Sequence, residues 1–332
     1  MSHRIATFAL IILTACTAAP QVSSEVPPPI ADKKQEELRL IEADKVRLEF
    51  PRILLQIDHA LESYTHALAD NGKSRSDLEV AKLDKLLRQY VNGERDQSGN
   101  VRQPNKQRLM TMATDGSDTI NQGIALTALG FAEGSDVMPV ILQGAQLSDQ
   151  DLVDRAVLGL TILKDPRTPP GVVIRVMEDP KHNEDGRLQA AWALTVLQEQ
   201  SYHVDEILVT WRRTLTNSST VHPLVLVSAL RGIGLTRKAT DAAAVVPFLK
   251  YPVPKVRVAA AVALGRMNAQ DNWQDLLELI GPSETVLNVR LAARKSLQAL
   301  AGGDDRGYDQ SLWRRQFDRS GPKPAVVEPA KK

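Results

Sequence analysis

Two histidines and a glutamate stand at a spacing that could bind a metal ion. His59, Glu62 and His66 lie three and four residues apart, so a helix would place them on one face. Imidazole and carboxylate groups are common zinc ligands. The same face borders an apolar stripe, however, and such a combination often arises by chance. The chain also lacks H-E-x-x-H, G-x-S-x-G and phosphate-loop motifs. We therefore predict no metal, no cofactor and no catalytic residue.

The single cysteine of the chain, Cys16, follows a short apolar segment. Arg4 supplies a positive charge, and residues 5–13 read IATFALIIL, which is too short to cross roughly 30 Å of hydrocarbon as a helix. This arrangement predicts a secretory signal over residues 1–16. The motif L-T-A-C, which ends at Cys16, resembles the bacterial lipobox, whose cysteine receives diacylglycerol. An ordinary cleaved signal with an incidental cysteine is the alternative.

The lipobox resemblance implies lipidation of Cys16 and a protein anchored in the bacterial cell envelope. Two or three acyl chains would make the attachment stable, because one chain binds membranes only marginally. Thr17 stands where lipoproteins retained at the inner membrane carry Asp, which favours the periplasmic face of the outer membrane in a Gram-negative host. Residues 17–32 are rich in Pro, Ser and Ala and predict an extended tether.

The composition is that of a helical globular protein. The 332 residues carry a net charge of +1, without the basic excess typical of nucleic-acid binding. Aromatic residues make up only 4%, whereas Ala and Leu recur densely, as closely packed helices favour. One cysteine excludes an intramolecular disulfide.

Residues 33–106 predict a small N-terminal helical region. A charged helix is expected up to Pro51, where it should end or kink. A second helix follows, because residues 54–68 carry apolar side chains at three- and four-residue spacing. Ser76 and Glu79 have the spacing of a capping box that would open a third helix.

From about residue 107 the chain repeats itself. The clearest copies, residues 256–265 and 289–297, read VRVAAAVALG and VRLAARKSL. The last aliphatic residue of each copy serves as an anchor. The anchors are Leu129, Ile162, Leu194, Leu230, Leu264 and Leu297. Their spacings are 33, 32, 36, 34 and 33 residues, and a small residue precedes every anchor. Such a period is typical of stacked two-helix units.

These copies resemble HEAT repeats of the short bacterial kind found in phycobilisome-lyase proteins, with the signature V-R-x-x-A-A-x-A-L-G. The resemblance covers residues 107–300 and implies an all-α fold, a HEAT-like α-α superhelical solenoid. Some HEAT proteins are di-iron hydroxylases with repeated His-Glu dipeptides, which this chain lacks. The first helices of the units are expected around the apolar segments 137–142, 172–177, 207–211, 242–249 and 273–280.

Residues 301–318 predict a C-terminal cap. We expect Tyr308, Trp313 and Phe317 to cover the apolar edge of the last repeat, since the ends of solenoids need covering. Residues 319–332 are rich in Pro and Lys and predict a disordered tail.

Arginine stands seven residues before four of the six anchors. These residues are Arg155, Arg187, Arg257 and Arg290. A basic groove is one interpretation. Hydrogen bonds to carbonyl or acidic groups of neighbouring units are the interpretation we favour, because the four arginines share one structural phase. We expect Trp192 and Trp211 to lie in the core, with partner anchoring as the alternative.

Further cations lie at or beside the anchors of the second helices, with few acids among them. They are Lys164, Arg231, Arg266, Arg294 and Lys295. Second helices are expected to line the concave face of the solenoid, so these residues predict a weakly basic stripe suited to an acidic or polar partner segment. Scattered solvated residues are the alternative.

Together these features predict a non-catalytic, membrane-anchored scaffold that binds an unidentified envelope protein through its solenoid. Two alternatives stay open. One is a ligand-binding or enzymatic lipoprotein with an unrecognised site, which a cleft of clustered polar groups would favour. The other is a structural accessory subunit of an envelope machine, in which the N-terminal helices also contact a partner.

Overall fold

A computed structural model describes residues 28–69, 74–93, 104–200 and 203–320. The predicted signal segment with Cys16, residues 17–27 of the tether and most of the C-terminal tail lie outside these ranges. The described residues form helices, turns and loops without any strand. The predicted all-α fold class is therefore confirmed.

The chain divides into two compact units, residues 1–52 and 53–332. The described part of the first unit is helical and belongs to α1, Pro28–Ala69. In this unit the side chains from Lys33 to Leu40 are exposed.

One predicted boundary near α1 is wrong, because residues 28–32, expected in the tether, are already helical. Pro51, where we expected the helix to end or kink, lies inside α1 and does not end it. An internal proline removes one backbone hydrogen bond and costs about 3 kcal/mol. Burial of Leu54, Ile57 and Leu61 just after Pro51 offsets this cost, so the helix continues.

The second unit is a series of short helices that follow one another in pairs. Helix α2, Ser74–Asn92, precedes the pairs, and α15, Gln310–Ser320, follows them. The six pairs of first and second helices are α3 Lys106–Thr114 with α4 Thr119–Ala128, α5 Met138–Gly144 with α6 Gln150–Leu163, α7 Pro170–Glu178 with α8 Glu184–Gln200, α9 Val204–Thr216 with α10 Pro223–Leu235, α11 Ala242–Val245 (continued by the 3-10 helix Val246–Lys250) with α12 Pro254–Arg266, and α13 Trp273–Ile280 with α14 Leu287–Leu300.

Stacking between neighbouring pairs is carried mainly by the second helices. Each of α4, α6, α8, α10 and α12 packs extensively on the next second helix, whereas consecutive first helices contact one another less. Each first helix also packs on its own second helix. The result is a solenoid-like stack of helix pairs, as the repeat pattern predicts.

The second helices share one register. Each begins ten residues before a fully buried aliphatic residue. These six structural anchors are Leu129, Leu160, Leu194, Ile233, Leu264 and Leu297. Four residues after the anchors, Lys164, Arg237 and Asn268 all adopt left-handed backbone conformations, with φ of 51°, 56° and 52°. The common start therefore fixes the register of all six second helices, and the left-handed residue confirms it independently in α6, α10 and α12.

Two predicted anchors are wrong in this register. The anchor of α6 is Leu160 instead of Ile162, and that of α10 is Ile233 instead of Leu230. The error has a simple cause, because the buried stripe of a helix recurs every three to four residues and a neighbouring buried residue can imitate the anchor.

Small residues precede all six structural anchors and let the second helices approach closely. They are Ala128, Gly159, Ala193, Gly232, Ala263 and Ser296. The residue after the anchor faces the small residue of the next unit in three places: Gly130 faces Gly159, Gly234 faces Ala263, and Gly265 faces Ser296. A Cβ added to Gly130 would lie 2.5 Å from the Gly159 carbonyl oxygen. The backbones are therefore nearly in contact.

Helices α1 and α2 dock on the first pair through residues around Phe131. The ring of Tyr64 meets the ring of Phe131 edge-on, with centroids 5.2 Å apart. The side-chain amide of Asn92 donates to the Phe131 carbonyl at 3.0 Å and accepts from the Glu133 backbone N–H at 2.8 Å. This end of the stack is therefore covered by ordered helices.

The other end of the stack is covered by α15. Trp313 is fully buried, and its Nε1–H donates to the Gly307 carbonyl at 2.9 Å. Phe317 stacks on Trp273 of the last pair at 5.0 Å. Tyr308 lies under the guanidinium of Arg290 at 4.7 Å.

Candidate binding surface

The second helices from α8 onward present a continuous set of accessible positions. These positions lie six and two residues before the anchor and two residues after it, so a helix places them on one side. We call them the open face, and every member is partly or fully exposed. Its members are Leu188, Trp192 and Val196 on α8, Val227, Arg231 and Leu235 on α10, Val258, Val262 and Arg266 on α12, and Leu291, Lys295 and Ala299 on α14.

The open face combines apolar side chains with cations. Apart from Trp192, its uncharged members are aliphatic, and its charged members are Arg231, Arg266 and Lys295. These three side chains are exposed and form no ion pair with the described residues. Leu188, Val227 and Val258 pack against the core from the side while part of each stays accessible.

Acidic residues are unevenly distributed between the helices of the last three pairs. Helices α10, α12 and α14 contain no Asp or Glu at all, whereas the first helices α9 and α13 carry acids in their first turns. A chain with a net charge of only +1 can therefore still present a local positive surface. Apolar area on such a surface can supply affinity, and exposed cations can orient an acidic partner.

The structure places three of the five predicted stripe residues, Arg231, Arg266 and Lys295, on the open face. Lys164 instead caps the C-terminus of α6 with its left-handed backbone, although its side chain is exposed. Arg294 faces the C-terminal cap, where its Nε donates to Asp305 at 2.9 Å and its guanidinium lies 5.0 Å from the Tyr308 ring centroid.

Arginines seven residues before the structural anchor bind carbonyl groups at the ends of the first helices. Arg187 donates to the Met177 carbonyl at 3.1 Å, and Arg290 donates to the Ile280 carbonyl at 3.3 Å. Arg257 donates to the Tyr251 carbonyl at 2.9 Å. In the first pair Gln122 does the same to Ala113 at 3.0 Å. These side chains satisfy carbonyls that a helix end leaves without partners.

The arginines at this position thus form the hydrogen bonds to carbonyl groups that we expected, with two differences. The carbonyl acceptors belong to the same unit and not to a neighbouring one. Arg155 lies outside the series, because in the structural register it stands five residues before Leu160, and its side chain is exposed.

The two tryptophans differ. Trp211 is fully buried, and its Nε1–H donates to Gln198 Oε1 at 2.9 Å, while Gln198 donates to the Gly232 carbonyl at 2.8 Å. Trp192 lies on the open face and is partly exposed. The sequence contained a signal for this difference, since Trp192 stands two residues before its anchor Leu194, as the exposed Lys295 stands two residues before Leu297.

The histidine-containing motif on α1 is not assembled into a cluster. His59, Glu62 and His66 are exposed, and no three His, Cys, Asp or Glu side chains of the described ranges converge as metal ligands would. His182 and Asp154 form a separate pair between α6 and α8, with Nε2 and Oδ1 2.7 Å apart. Asn183 also donates to Asp154 at 3.0 Å, so the Asp154 carboxylate connects the second helix pair to the third.

No protein-family model matches this chain, and no curated protein matches it. Within the described part of the chain, none of the helices combines the length and the apolar character needed to cross a membrane.

Proposed function

We propose that the protein is a non-catalytic binding scaffold that captures an acidic, partly apolar segment of another envelope protein on the open face. The observation that carries this proposal is the complete lack of acidic residues on α10, α12 and α14, combined with three exposed cations among partly exposed aliphatic side chains.

The close stacking of the second helices supports this choice of face. A stack curves toward the layer in which neighbouring elements lie closer together, and here the small residues bring the second helices together. The open face would then lie on the inside of the curve, where repeat proteins present extended binding surfaces.

We also propose that the repeats are of the HEAT type and that Cys16 carries a lipid anchor. Arg187, Arg257 and Arg290 occupy the arginine position of the V-R-x-x-A-A-x-A-L-G signature, which supports the first point. The L-T-A-C motif after a short apolar segment supports the second. The protein would then be tethered to a membrane of the cell envelope.

The central test is charge reversal on the open face. The triple variant Arg231→Glu, Arg266→Glu and Lys295→Glu should lose at least about tenfold in partner capture, measured by cross-linking and quantitative mass spectrometry from intact envelopes. Helicity and the melting temperature should stay unchanged, because all three side chains are exposed.

A matched triple controls for the change in net charge. Arg175, Lys181 and Lys238 are exposed cations outside the open face, and their reversal to Glu should leave the captured set unchanged. Equal loss in both triples would show a nonspecific charge effect, and undiminished capture by the open-face triple would exclude this surface.

The anchor is tested separately. Cys16→Ser should release the protein into the soluble envelope fraction or stall its processing, because the thiol is the acceptor of the lipid. Fractionation and migration identical to those of the unmodified sequence would contradict lipidation, while leaving the open-face proposal intact.

A further inference from the structure

Arg257 shows that an arginine at this position of the repeat can bind a carboxylate of the following unit. Its Nε and Nη2 donate to the two carboxylate oxygens of Glu284 at 2.8 and 3.0 Å. Glu284 belongs to the loop before α14, in the next pair. Both side chains are largely buried, with 15% and 8% exposed. The remaining amino group, Nη1, donates to the Tyr251 carbonyl.

Arg290 stands at the same position in the last pair, where α15 follows instead of a complete helix pair. The same two nitrogens that Arg257 directs to a carboxylate here share one acceptor, the Ile280 carbonyl, at 3.3 Å each. This geometry is long for a charged donor. The Nε and Nη2 donors of Arg290 therefore have the arrangement with which Arg257 binds a carboxylate.

A solvent-open cavity of about 470 Å³ adjoins Arg290, a volume within the range of small-ligand sites. Arg314 of α15 also lines the cavity, and Pro282 contributes exposed apolar surface. Asp309 also lines the cavity, and its carboxylate accepts from the backbone N–H and the hydroxyl of Ser311 at 2.8 and 2.7 Å. The lining contains two arginines, Arg290 and Arg314, and this one carboxylate, so its net charge is +1.

We propose that this cavity binds a carboxylate group supplied by a peptide ligand. Arg290 would grip both oxygens as Arg257 grips Glu284, Arg314 would add a second charged contact, and Pro282 would pack on the aliphatic stem. Planar two-point contacts of this kind are the mode in which arginine prefers carboxylates. The site lies apart from the open face and goes beyond the proposed function.

The experiment follows the Nε–Hε signals of the full-length chain by NMR, with the Arg290 signal assigned from Arg290→Lys. The probes are a blocked five-residue alanine peptide with a central glutamate, the same peptide with glutamine, an alanine peptide with a free C-terminal carboxylate, and inorganic phosphate. A carboxylate peptide should shift the Arg290 signal saturably at millimolar concentration, and the glutamine peptide should not. The stronger of the two carboxylate peptides identifies the source of the group.

Arg314→Gln should weaken binding about tenfold, the size of a lost charged hydrogen bond. Arg315→Gln is the matched control, because Arg315 is the exposed neighbour on α15 and does not line the cavity. The affinity of this variant for the carboxylate peptides should stay within about twofold of that of the unmodified protein. Phosphate binding as tight as that of the carboxylates, or no saturable shift with either carboxylate peptide, would overturn the proposal. The open-face triple should bind these peptides normally, so the two proposals can fail independently.

Discussion

Helices α4 and α12 hold the same place in their units, yet one is enclosed and the other is open. On α4 the positions that correspond to the open face carry Gly123, Thr127 and Phe131, all buried. On α12 they carry Val258, Val262 and Arg266, which are partly or fully exposed. The second helices therefore share one register, and the elements that pack around each of them determine whether the equivalent positions are exposed to a partner.

The sequences of the two helices reflect this difference. Helix α4 contains no charged residue, as expected for a helix that is buried on all sides from Gln122 to Ala128. Its neighbours include α3, α5 and α6, and its C-terminal end leads into Phe131, where α1 and α2 dock. The accessible surface of the second helices thus starts at α8, and the N-terminal helices contribute to closing the first pair.

The largest effect is expected from removing the contact between α1 and Phe131. Tyr64→Ala should lower the free energy of unfolding by about 3–4 kcal/mol, because it deletes a buried aromatic ring. Burial raises the pKa of Tyr64 to about 12, so its hydroxyl is neutral at physiological pH. Urea denaturation measures the effect.

Tyr64→Phe is the matched control for this contact. It keeps the ring and should cost less than about 1 kcal/mol. If the alanine and phenylalanine variants were equally stable, docking by the ring would not be what holds α1 on the first pair.

A second, smaller difference is expected between the glycines that follow the anchors. A methyl group on Gly130 would lie 2.5 Å from the Gly159 carbonyl oxygen, whereas on Gly265 it would lie 2.6 Å from the Ser296 Oγ and 3.0 Å from the Ser296 Cα. The closest contact is thus with backbone at Gly130 and with a rotatable hydroxyl at Gly265. Gly130→Ala should therefore destabilise by about 2–3 kcal/mol and Gly265→Ala by about 1 kcal/mol.

Gly116→Ala serves as a control for the glycine series, because nothing lies within 4 Å of the added Cβ. Its stability should change little. The same thermal or chemical denaturation applies to all three variants. A larger loss of stability for Gly265→Ala than for Gly130→Ala would contradict the expectation that the closer backbone contact costs more.

Much of the fold could be predicted from periodicity. The pairing of helices, the segments of the first helices and four anchors follow from apolar spacing and from small residues at one phase. The anchors of α6 and α10 could not be placed, because Ile162 and Leu230 are buried as well and periodicity alone does not distinguish neighbouring members of one stripe. Helix starts and left-handed ends were needed to fix them.

The candidate binding surface was harder to predict from the sequence than the fold. Arg231, Arg266 and Lys295 could be identified as cations of the second helices, but Arg294 could not be separated from them. Its partner Asp305 lies eleven residues away in a loop, and the conformation of that loop decides the pairing. Pro51 shows the same limit, since local preference predicts a helix end or a kink at this residue and does not decide that α1 continues through it.

The smallest effect compares the neighbours Arg294 and Lys295 on α14. Hydrogen bonds from Arg294, with a further one from the Gly307 backbone N–H, lower the pKa of Asp305 from 3.8 to about 2. Because the folded-state pKa is lowered, the pair stabilises the cap above about pH 4, and this contribution is lost as the pH falls toward 2. The effect on unfolding should be slight, since about a third of each side chain is exposed.

The carboxyl carbon of Asp305 should titrate near 2 by NMR, and Arg294→Gln should return the midpoint toward 3.8. Partner capture should stay unchanged in Arg294→Gln and fall in Lys295→Gln, because only Lys295 belongs to the open face. A titration midpoint near 3.8 for Asp305 in the unmodified protein would mean that Arg294 is not paired with Asp305 and could contact a partner.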